Sequence, residues 1–191
     1  LSMIRRRQLF GAMAGIAAAA PVVSRPAAAA PAISLTDLRG AIDAGEMGLS
    51  PDTGADQSLL LREIVAAAAQ KGQWVFLPPG RYAISELTLP DGARLTGIAG
   101  ATRLVFSGGR SFLTAAGAAR VELSNISFDG GGLALAEDVP ALLHFRDIAE
   151  LRIDNCEITE TPKTGLQLEG CGGRIEDCRL SGIEEYGLYA I

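Results

Sequence analysis

The chain contains one histidine, His144. An imidazole titrates near neutral pH, which makes this residue the natural candidate for an acid or a base. It stands in Leu143-His144-Phe145, and the same pattern returns as Leu166-Gln167-Leu168 and Leu188-Tyr189-Ala190, 23 and then 22 residues further on. Side chains alternate across a strand, so His144, Gln167 and Tyr189 form one outward row, flanked by Arg146 and Glu169. An amide beside an aromatic face suits a sugar ring, which offers hydroxyls and an apolar C–H surface. These five residues are the candidate binding set, and His144 is also a catalytic candidate.

A second repeat supplies carboxylates. Asp154 and Glu176 lie 22 residues apart, in a column that begins at Ser124. On adjacent coils they can act as a carboxylate pair or share a calcium ion, with ordinary surface charge as the competing explanation. Ser127, Glu157 and Arg179 make a third column. Cys156, Cys171 and Cys178 fit no zinc or iron–sulfur spacing, so no metal is expected, and the matched pair Cys156 and Cys178 reads as buried, small and apolar. Asp52, Thr53 and Asp56 are explained by turn formation and helix capping.

The elements that must position these residues are short strands. Val121-Glu-Leu-Ser-Asn-Ile-Ser-Phe128, Leu151-Arg-Ile-Asp-Asn-Cys-Glu-Ile158 and Gly173-Arg-Ile-Glu-Asp-Cys-Arg-Leu180 align, with offsets of 30 and 22 residues. A fixed period means stacked units, each unable to bury its apolar face alone. Leu143, Phe145, Leu166, Leu168, Leu188 and Ala190 point inward, as do Ile153, Ile175, Cys156 and Cys178. Asn125, Asn155 and Asp177 fall at a bend that wants left-handed backbone, where stacked amides can bond along the axis.

Upstream, Ser34 and Asp37 predict a short helix over residues 35–44, followed by a turn-rich loop. Asp56 is the expected N-cap of an amphipathic helix over 57–70, with Leu59, Leu60, Ile64, Val65 and Ala68 at helical spacing and Gly72 as its stop. Strands are expected at Trp74–Leu77, Tyr82–Ile84, Leu87–Leu89 and Arg94–Gly97, with turns at Gly108-Gly109 and Gly130-Gly131-Gly132. No helical pattern follows Gly72, which excludes an alternating α/β sheet and leaves an all-β body behind a helical start. Aromatics at 5% and 23 glycines in 191 residues agree with a thin fold of many turns.

Charge is unevenly distributed. Beyond residue 32 there are 13 basic against 22 acidic residues, a net of −9, so nucleic acid is not an expected partner. The first 32 residues carry only Arg5, Arg6, Arg7 and Arg25, with the apolar run Leu9–Ala20 and small residues around Ala29 and Ala32. That is the layout of a cleaved export signal, and no run is long enough to span a membrane in the mature chain.

Three resemblances follow. Arg6-Arg7-Gln8-Leu9-Phe10 resembles the twin-arginine translocation motif, with an ordinary Sec signal as the alternative. The resemblance implies export of an already folded protein by the twin-arginine translocase, sometimes around a cofactor, here unknown, to a periplasmic or secreted location. Asp52-Thr-Gly-Ala-Asp56, the helix, Trp74–Ile84 and Leu87–Gly97 resemble the entry to pectate-lyase-like right-handed parallel β-helices. In these a helix caps the first coil and substrates lie along an outer sheet. The signal and repeats together are similar to an uncharacterised family of twin-arginine-exported repeat proteins.

The expected organisation is a signal over 1–32, an N-terminal cap over 33–72 and the first coils of a parallel β-helix over 73–191. Because Ile191 falls within a repeat copy, the reading expects an N-terminal portion of a longer protein. The expected function is binding or processing of a polysaccharide, by a lyase, hydrolase or epimerase if catalytic. The alternative is a non-catalytic structural or adhesion solenoid.

Overall fold

The computed structural model describes residues 40–191. The expected export signal with Arg6 and Arg7, and the predicted helix up to residue 39, lie outside the described residues. Where that helix was to end, the chain forms β1 (Ile42–Asp43), a parallel partner of β2, because its backbone groups are taken up by Trp74 and Phe76.

Helix α1 (Ser58–Gln70) follows one residue later than expected. Gln57 is its N-cap and bonds the loop at Ser50, while Asp56 Oδ1 accepts the Ser58 amide at 3.0 Å. The buried face is Leu61, Ile64, Val65 and Ala68, an i, i+3, i+4, i+7 stripe, and Leu59 points away at 66% exposure. The predicted stripe was therefore offset at its first turn. Gly72 ends the helix region at φ +63, a conformation that side-chain-bearing residues avoid.

The rest winds through strands in triplets. The first coil is β2 (Val75–Phe76), β3 (Gly80–Ile84) and β4 (Leu87–Thr88); the second is β5 (Ala93–Thr96), β6 (Thr102–Phe106) and β7 (Leu113–Ala116). The third is β8 (Arg120–Ser124), β9 (Ser127–Asp129) and β10 (Ala141–Arg146). The fourth is β11 (Glu150–Asp154), β12 (Glu157–Thr161) and β13 (Thr164–Glu169), and the last is β14 (Gly173–Glu176), β15 (Arg179–Ile183) and β16 (Leu188–Ala190).

Every pairing is parallel, and the strands collect into three sheets: β1-β2-β5-β8-β11-β14, β3-β6-β9-β12-β15 and β4-β7-β10-β13-β16. The fold is thus mostly β, with one α-helix and three parallel sheets among the described residues. Its coil-on-coil stacking agrees with a β-helix or solenoid. Helix α1 packs against β2, β4 and β5, the first two coils.

Register lines up the core. Val75, Leu95, Leu123, Ile153 and Ile175 form one inward column; Tyr82, Leu104, Phe128 and Ile158 another; Leu87, Leu113, Leu143, Leu166 and Leu188 the third. All but Ile175 and Leu188 are fully buried. Those two keep the inward register but lie in the last described coil, which no further described coil covers; Ala190 lies there too. Phe106, Phe112 and Phe128 contact one another at centroid separations of 5.6 and 6.4 Å, so a few aromatics fill the thin core.

The bends behave as the sequence implies. Asn125, Asn155 and Asp177 have φ of 57, 48 and 49, and Asn155 Nδ2 donates to Asn125 Oδ1 at 2.8 Å along the stack. Cys156, the residue after Asn155, is buried, and burial pushes its thiol up to about 12. All three cysteines are free thiols.

Candidate functional site

The outer face of the third sheet carries the predicted row. Thr88, Thr114, His144, Gln167 and Tyr189 are consecutive register partners across five coils. Alternation puts them outward because Leu87, Leu113, Leu143, Leu166 and Leu188 beside them point inward. At the far end the row starts with a Thr88–Thr114 hydroxyl contact at 3.2 Å.

In the middle, Glu169 joins two row members. Gln167 Nε2 donates to its Oε1 at 2.6 Å, and His144 Nε2 lies 2.9 Å from the same atom. Those two hydrogen bonds, first from Gln167 and then from His144, hold the Glu169 carboxyl below the usual carboxylate range, with Arg146 adding attraction from the next position. An ionised carboxylate only accepts, so His144 Nε2 is the donor, and in the neutral ring Nδ1 carries the lone pair. A carboxylate-oriented imidazole with a free Nδ1 can take a proton from a bound hydroxyl. His144 is therefore a held group, not the solitary strand residue that sequence alone would leave it.

Near Tyr189 the face becomes concave. A groove of about 260 Å³ is lined by Pro140, Lys163, Thr164, Gln167, Glu185, Tyr186 and Tyr189. Tyr186 and Tyr189 sit with ring centroids 6.0 Å apart at 38°, and Tyr186 is 63% exposed. Glu185 Oε2 accepts from the Thr164 amide at 3.2 Å and from its hydroxyl at 3.3 Å, which ties the turn before β16 to the start of β13.

The opposite wall is an insertion. Between β9 and β10 the chain leaves the stack for residues 130–140, which accounts for the 30-residue offset in place of 22. Gly130 is required where the loop departs: a Cβ there would lie 2.4 Å from the Glu160 carbonyl oxygen. Leu135 and Val139 bury against the core. Lys163 Nζ then donates to the carbonyls of Ala136, Glu137 and Val139 at 2.8, 2.8 and 2.7 Å, which fixes Pro140 at the groove edge.

The predicted Ser124–Asp154–Glu176 column forms on the first sheet, away from this groove. Burial raises the Asp154 carboxyl, with the charges of Asp177 and Glu176 adding to it. No group of three or more His, Cys, Asp or Glu side chains among the described residues is arranged to hold a metal ion. The Ser127–Glu157–Arg179 column also forms, and Ser127 Oγ donates to Glu157 Oε2 at 2.9 Å.

A second concavity of about 290 Å³ lies by Asp52, Arg81 and Val105 on the second sheet. Its polar groups are structural. Asp52 Oδ1 accepts the Arg81 amide at 3.2 Å, and Asp56 Oδ2 accepts Ser107 Oγ at 2.5 Å. Burial raises Asp56, but hydrogen bonds from Ser107 and Ser58 outweigh it and leave the carboxyl below its ordinary value.

Sequence reasoning thus found the row His144, Gln167 and Tyr189 with Glu169 and Arg146. It missed Lys163, Glu185, Tyr186 and Pro140, which sit in turns outside the repeating strands; the longer offset before Ala141 was a signal for the insertion that ends at Pro140, and the other three had none. No helix among the described residues is long and apolar enough to cross a membrane. No family model matches the chain, and no curated protein matches it. A solved structure from Parabacteroides merdae ATCC 43184, described as a "putative glycosyl hydrolase", is similar at a TM-score of 0.46 and 14% identity, over 79% of this chain and 96% of its own.

Proposed function

We propose that this is a right-handed parallel β-helix of the pectate-lyase-like kind, exported by the twin-arginine route, that binds a carbohydrate in the periplasm on the outer face of its third sheet. The observation that carries the reading is the tilted pair Tyr186 and Tyr189 beside Gln167, in a groove contiguous with the His144–Glu169 pair. Two exposed phenol rings give a sugar's C–H face a surface to stack on, and an amide in the same groove reaches the ring hydroxyls. Binding is the part these groups support directly. Processing would fall to His144, whose Nδ1 is left to act as base.

Glycan-array screening followed by calorimetry on the purified protein tests this. A polysaccharide ligand is expected, with Tyr189→Ala and Tyr186→Ala each weakening it about tenfold, since aromatic contacts of this kind contribute roughly 1 kcal/mol or more. His144→Ala is expected to weaken binding less and to remove any turnover. Absence of binding to every saccharide on the array would sink the reading.

A further inference from the structure

The charged groups of the groove are unequally committed. Lys163 spends its three N–H bonds on the carbonyls of Ala136, Glu137 and Val139, so its ammonium faces the insertion and not a ligand. The Thr164 hydroxyl and amide both donate to Glu185 Oε2. Gln167 turns its amino end to Glu169, because a carboxylate can only accept, and this leaves the amide oxygen facing outward.

What remains for a ligand is balanced in donors and acceptors but not in charge. Glu185 Oε1 takes no hydrogen bond among the described residues, Gln167 Oε1 is an acceptor, and the second oxygen of Glu169 lies just beyond. The donors left are the two phenols and the second amide proton of Gln167. Among the lining residues the one ammonium is already committed, which leaves the Glu185 carboxylate without a cation beside it, whereas Glu169 has His144 and Arg146 as its neighbours. A uronate or sulfated sugar would bring like charge into such a site, which costs affinity. A sugar bearing an ammonium would bring three donors and the opposite charge.

We infer that the groove selects a saccharide with a free amine, a hexosamine unit stacked on Tyr186 and Tyr189 with its ammonium against Glu185. This rests on the carbohydrate reading above and names the substrate class for the same site. It also gives the exposed Glu185 a purpose beyond holding Thr164.

The test is calorimetry at about pH 6, where both a sugar amine and a carboxylate are ionised. Three probes of matched length are compared: a β-1,4-linked glucosamine oligomer, its fully N-acetylated counterpart and a galacturonate oligomer. The amine oligomer is expected to bind about tenfold tighter than the acetylated one, the scale of a charge-assisted hydrogen bond at a partly exposed site, and the galacturonate weakest. Glu185→Gln keeps the shape and one acceptor oxygen. It is expected to erase the amine preference, bringing the amine oligomer to the affinity of the acetylated one, with an unchanged circular dichroism spectrum as the folding control. Equal or tighter binding of the acetylated or uronate probe overturns the inference while the carbohydrate reading stands. So does an amine preference that survives Glu185→Gln. Failure of all three probes where another saccharide binds also overturns the inference alone, and failure of every saccharide removes both.

Discussion

Lys163→Met is the perturbation that probes how the groove is built. The lysine ammonium donates to three carbonyls of one loop, Ala136, Glu137 and Val139, all within 2.7–2.8 Å. Methionine keeps the apolar stem that lies along the surface, so the packing loss is small and the polar loss dominates. Hydrogen bonds from a charged donor contribute about 1.5–3 kcal/mol each when fully buried, but water can reach carbonyls at this rim and replace part of that. A net loss of about 2–3 kcal/mol follows, or roughly 4–12 °C in Tm for a domain of this size. The insertion should loosen first, since apart from Lys163 it is held by the burial of Leu135 and Val139, the exposed Arg110–Asp138 ion pair and a few backbone hydrogen bonds. In hydrogen exchange, the amides of Leu133, Ala136 and Val139, which bond Gly130, Arg110 and Ala136 carbonyls, should lose protection, while the Phe128–Ile158 ladder keeps it. Saccharide affinity should fall as well, because Pro140 follows directly on Val139. Lys163→Arg should fall between the two, since a planar guanidinium cannot converge on three carbonyls as an ammonium does. A Tm within about 1 °C of the parent, with unchanged exchange in the insertion, would refute the argument that this lysine fastens the wall.

Other expectations concern the stack, the interior thiol and the leader. Asn155→Ala should cost about 2–3 kcal/mol, from a side-chain-bearing residue at φ 48 and the lost 2.8 Å bond to Asn125, whereas Asn155→Gly should cost only about 1 kcal/mol; equal losses in denaturant melts would remove the backbone part of the account. Cys156 carries a folded-state thiol raised to about 12, so the unfolded chain releases this proton at lower pH than the native one. Stability is then lost as pH rises from about 9 towards 12, by at most about 1.4 kcal/mol per pH unit, and Cys156→Ala should flatten that slope in urea melts. For export, Arg6→Lys with Arg7→Lys should hold the precursor in the cytoplasm by fractionation, and normal processing would favour the Sec route.

Much of the fold was legible because burial in a stacked coil repeats with strand alternation. Leu143 and Leu166, or Ile153 and Ile175, announce an inward column whenever two copies lie 22 or 23 residues apart. The left-handed bend at Asn125, Asn155 and Asp177 was legible for the same reason, since few residues accept that backbone. Strands β6 and β7 were not. Leu87, Leu113 and Leu143 are register partners, yet they stand 26 and 30 residues apart, so no period links them, and Leu-Thr-Ala-Ala in β7 offers little contrast between faces. The two-residue strand β1 exists only through its pairing with β2, which no local pattern encodes.

The candidate site divides along the same line, and the division has a physical cause. Identical coils stacked in register present a flat outer sheet, because each coil places its outward side chains directly above those of the last. Such a face yields a floor, here His144, Gln167 and Tyr189, and the alternation that exposes it can be read from the sequence. Enclosure requires a coil that departs from the pattern. The departure at residues 130–140 supplies the wall carrying Pro140, and the turn at Glu185 and Tyr186 supplies the other side; neither has a period to reveal which way its residues face. Their conformation is set by contacts distant in sequence: Lys163 reaching back more than twenty residues, and Glu185 reaching Thr164. In a repeat fold the regular residues therefore identify the surface, and the breaks in regularity identify where on that surface a ligand can be held. The eight extra residues before Ala141 were the most informative irregularity in the repeat region, because an insertion that folds back and is fastened by one half-buried lysine shapes the groove beside it.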